Sequence, residues 1–484
     1  MEEPKQPPPP QSVAPTRDDP VIADNSEILG GRVGDHAGGP TRFWNPLIVL
    51  AFLSVVAFIA NLVTRIPCIG NGFNDPVRYT HLCYSDIPPL FSLRGFSANV
   101  FPYIHAPLPG TEQLEYPVLT GLFMQVANWL KLPGVSPGIG FYLSNALLLG
   151  LCLIALVLAT AVTVRRRPWD AALVALAPAL ILTATINWDL LAVALTAIGL
   201  ALWSRKHPVA AGVFIGLAAA AKFYPFLLLG PLLILCFRAK RMVAFWQFTA
   251  GVAAAWLVVN VPFMVINFYG WYHFYEFSST RGEDFGSVWL FVNNMGAHVP
   301  DDALNIVATG LFLVLCIGIA VLGLRAKRRP RLASLCFLVV AAFLLTNKVY
   351  SPQYVLWLIP LAALARPRWR DFLIWQTGEV IYYVAIWLYL AGLNGGKGLP
   401  SGWYSLAIMI HIVATCYFAA MVIRDILRPE YDPVRTDGWQ EDQDDPGGGV
   451  LDGAPDRWDR SATETAIEAG GWSTTDGRGL AHQP

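Results

Sequence analysis

The sequence predicts an all-α polytopic membrane protein of about twelve transmembrane helices with a long first extracytoplasmic loop. Three observations carry that prediction: composition, the number of apolar runs, and the spacing of basic clusters. Hydrophobic residues make up 55% of the 484 residues, charged residues only 14%, and the mean hydropathy is +0.47. Soluble domains carry roughly 25% charged residues, so water is not this chain's main solvent. The formal net charge is +0, which gives no reason to expect a nucleic-acid partner. The lipid bilayer is the partner that composition demands.

Apolar runs suited to spanning lie near 44–64, 141–164, 170–186, 188–203, 208–221, 224–237, 243–266, 303–325, 332–346, 353–365, 371–391 and 403–423. Several fall short of the about 20 residues that cross a bilayer. Basic clusters recur between them at Arg165 to Arg167, Arg205-Lys206, Arg238 to Arg241, Arg325 to Arg331, Arg366 to Arg370 and Arg424-Arg428. Short loops rich in Lys and Arg stay cytoplasmic, so the alternate turns face out and both termini lie inside. A further run, 117–132, would invert every later loop if it spanned. It is short and carries Gln125, Asn128 and Lys131, so it reads as a surface or half-inserted helix of the first loop, 65–140.

This divides the chain into a disordered cytoplasmic segment (1–43), a transmembrane domain (44–424) and a disordered acidic, glycine-rich tail (425–484). Few aliphatics in the flanking segments leave too little apolar surface to order them. The location expected is the plasma (inner) membrane, multi-pass. Cys68 and Cys83 lie together in the polar segment after the first span. They pair if that segment faces an oxidising compartment; spacing alone leaves the bridge open.

With this topology the chemically useful side chains share the outer face. They are Asp86, Glu115-Tyr116, Asn187 and Asp189, Lys222 and Tyr224, Arg281, Glu283 and Asp284, then Lys348, Ser351 and Gln353. Charges are costly near lipid, and this chain has few. Carboxylates, cations and amides on one face suit an anionic, hydroxyl-rich ligand. A carboxylate there takes a proton from a sugar hydroxyl, and cations steady a departing phosphate. The blander reading is an ordinary solvated interface, which fits Glu112, Asp301 and Asp302 best. Lys222 follows the small-residue run Ala218 to Ala221 with no acid near it in sequence, and Asp86 has apolar neighbours. Gln376 and Glu379 sit at membrane depth, as functional groups or as interhelical glue. His411 reads as a packing histidine.

The series Tyr84-Ser85-Asp86, Gly95, Pro102-Tyr103 and Glu115-Tyr116-Pro117 resembles the first outer loop of glycosyltransferase family 87. This family is a branch of the GT-C membrane enzymes represented by actinobacterial mannosyltransferases that use polyprenyl-phosphate mannose. Asn187-Trp188-Asp189, Ala221 to Pro225 and Asn347 to Tyr354 look similar too. The resemblance implies a GT-C-like fold and a hexosyltransferase, mannose being the family's commonest association. It implies a polyprenyl-phosphate sugar donor and a cell-envelope glycolipid or glycan acceptor, with no cofactor and no metal. It makes Asp86 the catalytic base, Lys222 and Lys348 candidates for the donor phosphate, and Glu115 a partner for sugar hydroxyls. Two rivals are a transporter or flippase of a lipid-linked sugar, and a non-catalytic envelope-assembly partner. A transporter would place its ligands near the midplane.

Overall fold

The computed structural model describes residues 45–297, 299–436 and 444–457. The segment expected to be disordered at the N-terminus, and the tail past Arg457, lie outside the described residues. Within them every regular element is helical. The main helices are α1 (Pro46–Asn71), α2 (Ile87–Leu93), α3 (Val118–Trp129), α4 (Pro137–Thr163), α5 (Pro178–Thr183), α6 (Asp189–Ser204), α7 (Pro208–Ala221) and α8 (Leu229–Arg238). They continue with α9 (Met242–Ile266), α10 (Phe268–Thr280), α11 (Val288–Asn294), α12 (Asp301–Arg325), α13 (Leu332–Thr346), α14 (Val355–Ala365), α15 (Trp369–Leu393) and α16 (Ser401–Leu427).

Five of these are long and apolar enough to cross a membrane: α1, α4, α9, Ala303–Arg325 of α12, and α16. Shorter apolar helices, α6, α7, α13 and the stretches 224–238 and 352–365, fill the space between them. This is a membrane protein. The short α7 is walled by α6 on one side and α9 on another. Small residues allow the second approach: a β-carbon on Gly212 or Gly216 would collide with the carbonyl oxygens of Phe248 and Val252, and one on Gly251 with that of Val209. Without a hydrophobic drive between helices in lipid, such close backbone packing supplies the attraction.

Several boundaries differ from expectation. The first helix runs on to Asn71, where Gly72 turns the chain at φ 69°. The stretch 170–186 is not one helix: it is broken into Pro168–Ala171, Ala172–Ala175 and α5. Pro178 cannot donate to the preceding turn, and side chains take over the freed backbone groups. Gln376 Oε1 accepts from the Ala179 amide at 3.0 Å, and Asn61 Nδ2 donates to the Ile181 carbonyl at 2.8 Å. Irregular backbone inside a membrane protein survives where protein meets it in this way. The ambiguous run 117–132 forms α3, 12 residues long. At 1.5 Å per residue that is about 18 Å, too short to cross about 30 Å of hydrocarbon. It lies against the ends of α4, α7 and α9.

The tail departs most from expectation. Residues 425–436 and 444–457 are packed rather than disordered. Val434, Gly449 and Leu451 are buried, and Asp432 meets the Arg331 guanidinium at 2.7 Å. Asp456 meets Arg238 at 2.8 Å, Asp445 Oδ2 accepts from the Leu332 amide at 2.7 Å, and Asp444 pairs with Arg329. Trp203 Nε1 donates to the Gly448 carbonyl at 2.8 Å. Composition counts aliphatics, and this tail is held instead by aspartates fitted to the loop arginines.

Candidate active site

At the end of the bundle opposite the tail, the helix ends enclose a cleft of about 770 Å³. The separation follows from α6, which begins beside the cleft and ends at Trp203 against the tail. Its 16 residues span about 24 Å.

Asp86 is positioned by the first loop's attachment to the broken helix. Cys68 and Cys83 are joined by a disulfide, Cα–Cα 5.9 Å, which ties the end of α1 to the segment just before Asp86. Ser85 Oγ donates to the Thr185 carbonyl at 2.7 Å, and the Asp86 amide to that of Ile186 at 2.8 Å. Below them the buried Arg65 of α1 donates to the Leu82 carbonyl (3.2 Å), the Tyr383 hydroxyl (3.2 Å) and Thr185 Oγ1 (3.3 Å). The sequence places Asp86 at the start of α2, yet its carboxylate makes no capping bond. It accepts from the Tyr84 hydroxyl at 2.7 Å instead and lines the cleft.

Burial pushes the Asp86 carboxyl up to about 6. The Tyr84 hydrogen bond and Lys222 pull it down, while the charges of Glu115 and Asp189 push it further up. Burial, with the Asp86 charge, also holds the Tyr84 and Tyr116 phenols well above their ordinary value. Both stay neutral donors at any physiological pH.

The cationic side is built from pairs. Lys222, at the C-terminal end of α7, meets Asp189 at 2.8 Å. The absence of a nearby acid in sequence was therefore misleading: α6 and α7 pack side by side and bring one over. Asp189 is buried, also accepts from Trp357 Nε1 at 3.1 Å, and stands behind Lys222 rather than on the cleft wall. Burial alone would lower the Lys222 ammonium, but Asp189 and its other anionic neighbours hold it above the ordinary lysine value. Its Nζ lies 5.4, 5.3 and 5.8 Å from the ring centres of Tyr116, Tyr354 and Trp357, within cation–π reach. Arg281 is held by Asp284, its Nε donating at 2.8 Å. Lys348 Nζ donates to Asn305 Oδ1 at 2.8 Å and the Ser279 carbonyl at 3.0 Å. The 281–287 turn and the 347–351 turn are joined by backbone bonds, Asp284 N to Lys348 O (2.9 Å) and Tyr350 N to Phe285 O (3.2 Å).

Of the residues singled out by sequence, the cleft brings together Asp86, Glu115, Tyr116, Asn187, Lys222, Tyr224, Arg281, Asp284, Lys348, Ser351 and Gln353. Asp189 and Glu283 are not on its wall, and Glu283 accepts from Asn293 at 2.9 Å. Tyr224 is buried, with its hydroxyl donating to Thr196 at 3.1 Å. Asn187 accepts from the Asp189 amide at 3.0 Å. Glu115 is not alone either: Arg94 bonds it at 2.5 Å and Glu112 at 2.6 Å.

Sequence reasoning missed Tyr79, Trp387 and the α10 residues Phe274, Tyr275 and Phe277, all on the wall. The aromatic density of Phe268 to Phe277 was the available signal for the last group. Beneath the cleft, Glu379 Oε1 accepts from Trp375 Nε1 and Thr415 Oγ1, both at 3.1 Å. His411 Nε2 lies 3.0 Å from the Gly286 carbonyl. Gly286 has φ +77°, and a β-carbon there would strike the Tyr350 carbonyl and the Tyr382 hydroxyl. Among the described residues no three His, Cys, Asp or Glu side chains gather as metal ligands would.

Residues 114–346 match the model of glycosyltransferase family 87, just under half of the chain. The match supports an enzyme, a glycosyltransferase. Asp86 precedes the matched stretch, and Lys348, Ser351 and Gln353 follow it, so one cleft gathers residues from within and beyond it. No curated protein matches the chain.

Proposed function

We propose that the protein transfers a hexosyl residue, mannosyl by the family's commonest association, from a polyprenyl-phosphate sugar to a cell-envelope glycolipid or glycan. In this reading twelve helical segments span the plasma membrane, both termini are cytoplasmic, and the cleft opens on the outer face. The observation that carries the reading is the placing of Asp86, its carboxyl raised to about 6, in one cleft with Lys222 and Arg281. A base with a pKa near the working pH combines a populated carboxylate with useful basicity.

Asp86 takes the proton of the acceptor hydroxyl as that oxygen attacks the anomeric carbon from the face opposite the phosphate. The anomeric C–O bond breaks with its electron pair going to the phosphate oxygen, and the configuration inverts. The polyprenyl phosphate leaves toward Lys222, Arg281 and Lys348. Their partners Asp189, Asp284 and Asn305 fix the geometry in advance, so little reorganisation accompanies the charge movement. Glu115 and Gln353 are the wall's acceptor and amide for sugar hydroxyls.

Purified protein incubated with geranyl-phosphate [14C]mannose or glucose and an envelope lipid extract is expected to form a labelled glycolipid. Asp86→Asn is expected to abolish it while binding donor. Undiminished product from Asp86→Asn removes Asp86 from the base role. Movement of intact donor across vesicles without any transfer replaces the enzyme with a transporter.

A further inference from the structure

Beneath the cleft, α15 and α16 present a buried carboxyl and a buried imidazole that the proposed chemistry does not use. Glu379 is 3% exposed and His411 0%. The His411 ring meets two tyrosines, stacked on Tyr382 with centres 4.2 Å apart and planes at 14°, and edge-on to Tyr350 at 4.5 Å. Its Nε2 is 3.0 Å from the Gly286 carbonyl oxygen. A carbonyl only accepts, so Nε2 carries a proton and donates. Nδ1 faces Glu379 Oε2 at 3.6 Å, with no hydrogen-bond partner among the described residues. The other oxygen of that carboxyl is taken up by donors: Trp375 Nε1 and Thr415 Oγ1 at 3.1 Å each, and the Tyr350 hydroxyl at 3.4 Å. Two bare acceptors would repel across the gap between Nδ1 and Oε2. The pair therefore shares one proton and is neutral overall, the arrangement that makes a buried carboxyl tolerable.

The far end of this link is a turn that carries a cleft cation. Gly286 follows Asp284 and Phe285, both on the cleft wall, and Asp284 holds Arg281. The turn joins α10 to α11 without regular structure of its own, so its position is set by what grips it. The Gly286 carbonyl is held by His411, and its amide donates to the Tyr404 hydroxyl of α16 at 3.1 Å. Its α-carbon packs so closely on the Tyr350 carbonyl and the Tyr382 hydroxyl that no β-carbon fits. Tyr382 in turn donates to the Tyr350 carbonyl at 3.1 Å, and backbone bonds join Tyr350 to Phe285 and Asp284 to Lys348. What α15 and α16 do to Gly286 is thus passed to Arg281 and Lys348.

We infer that His411 is a positioning residue: its Nε2–H, oriented by Glu379, clamps Gly286 and so sets the Arg281 guanidinium for an anionic headgroup in the cleft. It does this without touching substrate. The inference rests on the reading of the cleft given above, in which Arg281 meets the donor phosphate, and it gives work to two buried residues that reading leaves idle. A histidine that only packs needs its ring and not its N–H. A carboxyl that only glues helices together needs no connection to a cleft turn. Here ring, N–H and carboxyl form one chain of contacts from Glu379 through His411, Gly286 and Asp284 to Arg281.

The test uses purified full-length protein in lipid nanodiscs and two readouts: amide exchange over residues 281–287, followed by mass spectrometry, and the Kd of geranyl phosphate. His411→Phe keeps a ring against Tyr382 and Tyr350 and removes the N–H, whereas His411→Gln removes the ring and returns an N–H. His411→Phe is expected to speed exchange at 281–287 and to weaken geranyl phosphate about fivefold, the scale of one hydrogen bond. His411→Gln should recover most of both, and Glu379→Leu, which strips Nδ1 of its partner, should move both in the same direction as His411→Phe. Because the effect runs through Arg281, His411→Phe should weaken binding no further in an Arg281→Met background, where a residue that merely supports the fold would add its own loss. Unchanged exchange in His411→Phe, additive losses with Arg281→Met, or a His411→Gln as damaged as His411→Phe overturns the inference. Failure of the phosphate-donor reading looks different: wild type and Arg281→Met would then bind geranyl phosphate equally or not at all, while exchange at 281–287 still decides whether His411 holds the turn.

Discussion

The two ends of the bundle use the same ingredients, aspartates beside arginines and lysines, and reach opposite results. At the tail end three aspartates close on arginines: Asp432 on Arg331, Asp444 on Arg329 and Asp456 on Arg238. Arg331 holds the Asp432 carboxyl below the ordinary carboxylate range. At the cleft end the pairs Lys222–Asp189 and Arg281–Asp284 stand back from one carboxyl, Asp86, whose bonded partner is a neutral phenol. That carboxyl is raised where Asp432 is lowered. Burial also pushes the tail-end Asp445 up to about 6, so what sets Asp86 apart is its place on a cleft wall beside a phenol rather than its raised carboxyl alone.

The comparison breaks most visibly at Asp86. Asp86→Asn is expected to lower transfer by roughly 10²–10⁴-fold, the usual weight of a positioned base, as measured by turnover of a polyprenyl-phosphate sugar. A folded-state pKa raised to about 6 means this carboxyl destabilises the fold once pH rises through that value. Its contribution is fully favourable only below the unfolded value near 3.9. Asp86→Asn should therefore raise the melting midpoint at pH 8 and change it little at pH 4. A variant that loses activity and stability together at pH 8 would make Asp86 structural.

The paired residues give the next largest effects. Lys222→Met leaves Asp189 buried without its partner, and Asp432→Ala does the same to Arg331. Breaking a buried pair costs about 3–5 kcal/mol, seen as loss of denaturation midpoint in both variants. They should part in kinetics: Lys222→Met weakens donor binding, whereas Asp432→Ala leaves turnover per folded molecule intact. Replacing both Lys222 and Asp189 with apolar residues should recover stability without recovering transfer. Equal kinetic damage from both ends would dissolve the distinction drawn between them.

Much of this was legible in sequence, for identifiable reasons. Hydropathy marked the helical stretches because lipid imposes a nearly one-dimensional rule. Basic-cluster alternation put Asp86, Glu115, Lys222, Arg281 and Lys348 together, and they do share a cleft. What sequence hid was lateral: that α6 lays Asp189 beside Lys222, or that α15 lays Trp387 on Tyr84, depends on which helices are neighbours. The break at Pro178 was hidden because Gln376, almost two hundred residues on, is what makes it tolerable. The tail was misjudged because a sparse set of aspartates can order a segment when arginines are waiting in fixed positions.

The disulfide offers a more modest test. Closing a loop of 15 residues between Cys68 and Cys83 is worth about 3 kcal/mol in the chain-entropy account. Cys68→Ser with Cys83→Ser should lower the midpoint under oxidising conditions and match wild type in reductant. Because the bridge ends beside Tyr84, transfer should fall with it, while the tail's protection against amide exchange should not. Loss of protection at both ends would mean that they unfold as one unit.

The smallest expected change is the most specific to the cleft. Tyr84→Phe keeps the ring that stacks on Trp387 and removes only the hydroxyl that donates to Asp86 at 2.7 Å. That bond favours the carboxylate and holds its pKa down against burial. Without it the carboxyl rises further, so the acidic limb of the pH–rate profile should move to higher pH. A hydrogen bond to a charged group is worth about 1.5 kcal/mol at the low end, which is roughly one pH unit. The plateau at high pH, where Asp86 is ionised in both proteins, should change little. A limb that stays in place would mean that some group other than Asp86 sets it. A lowered plateau with an unmoved limb would mean that Tyr84 orients the carboxylate rather than tuning its charge.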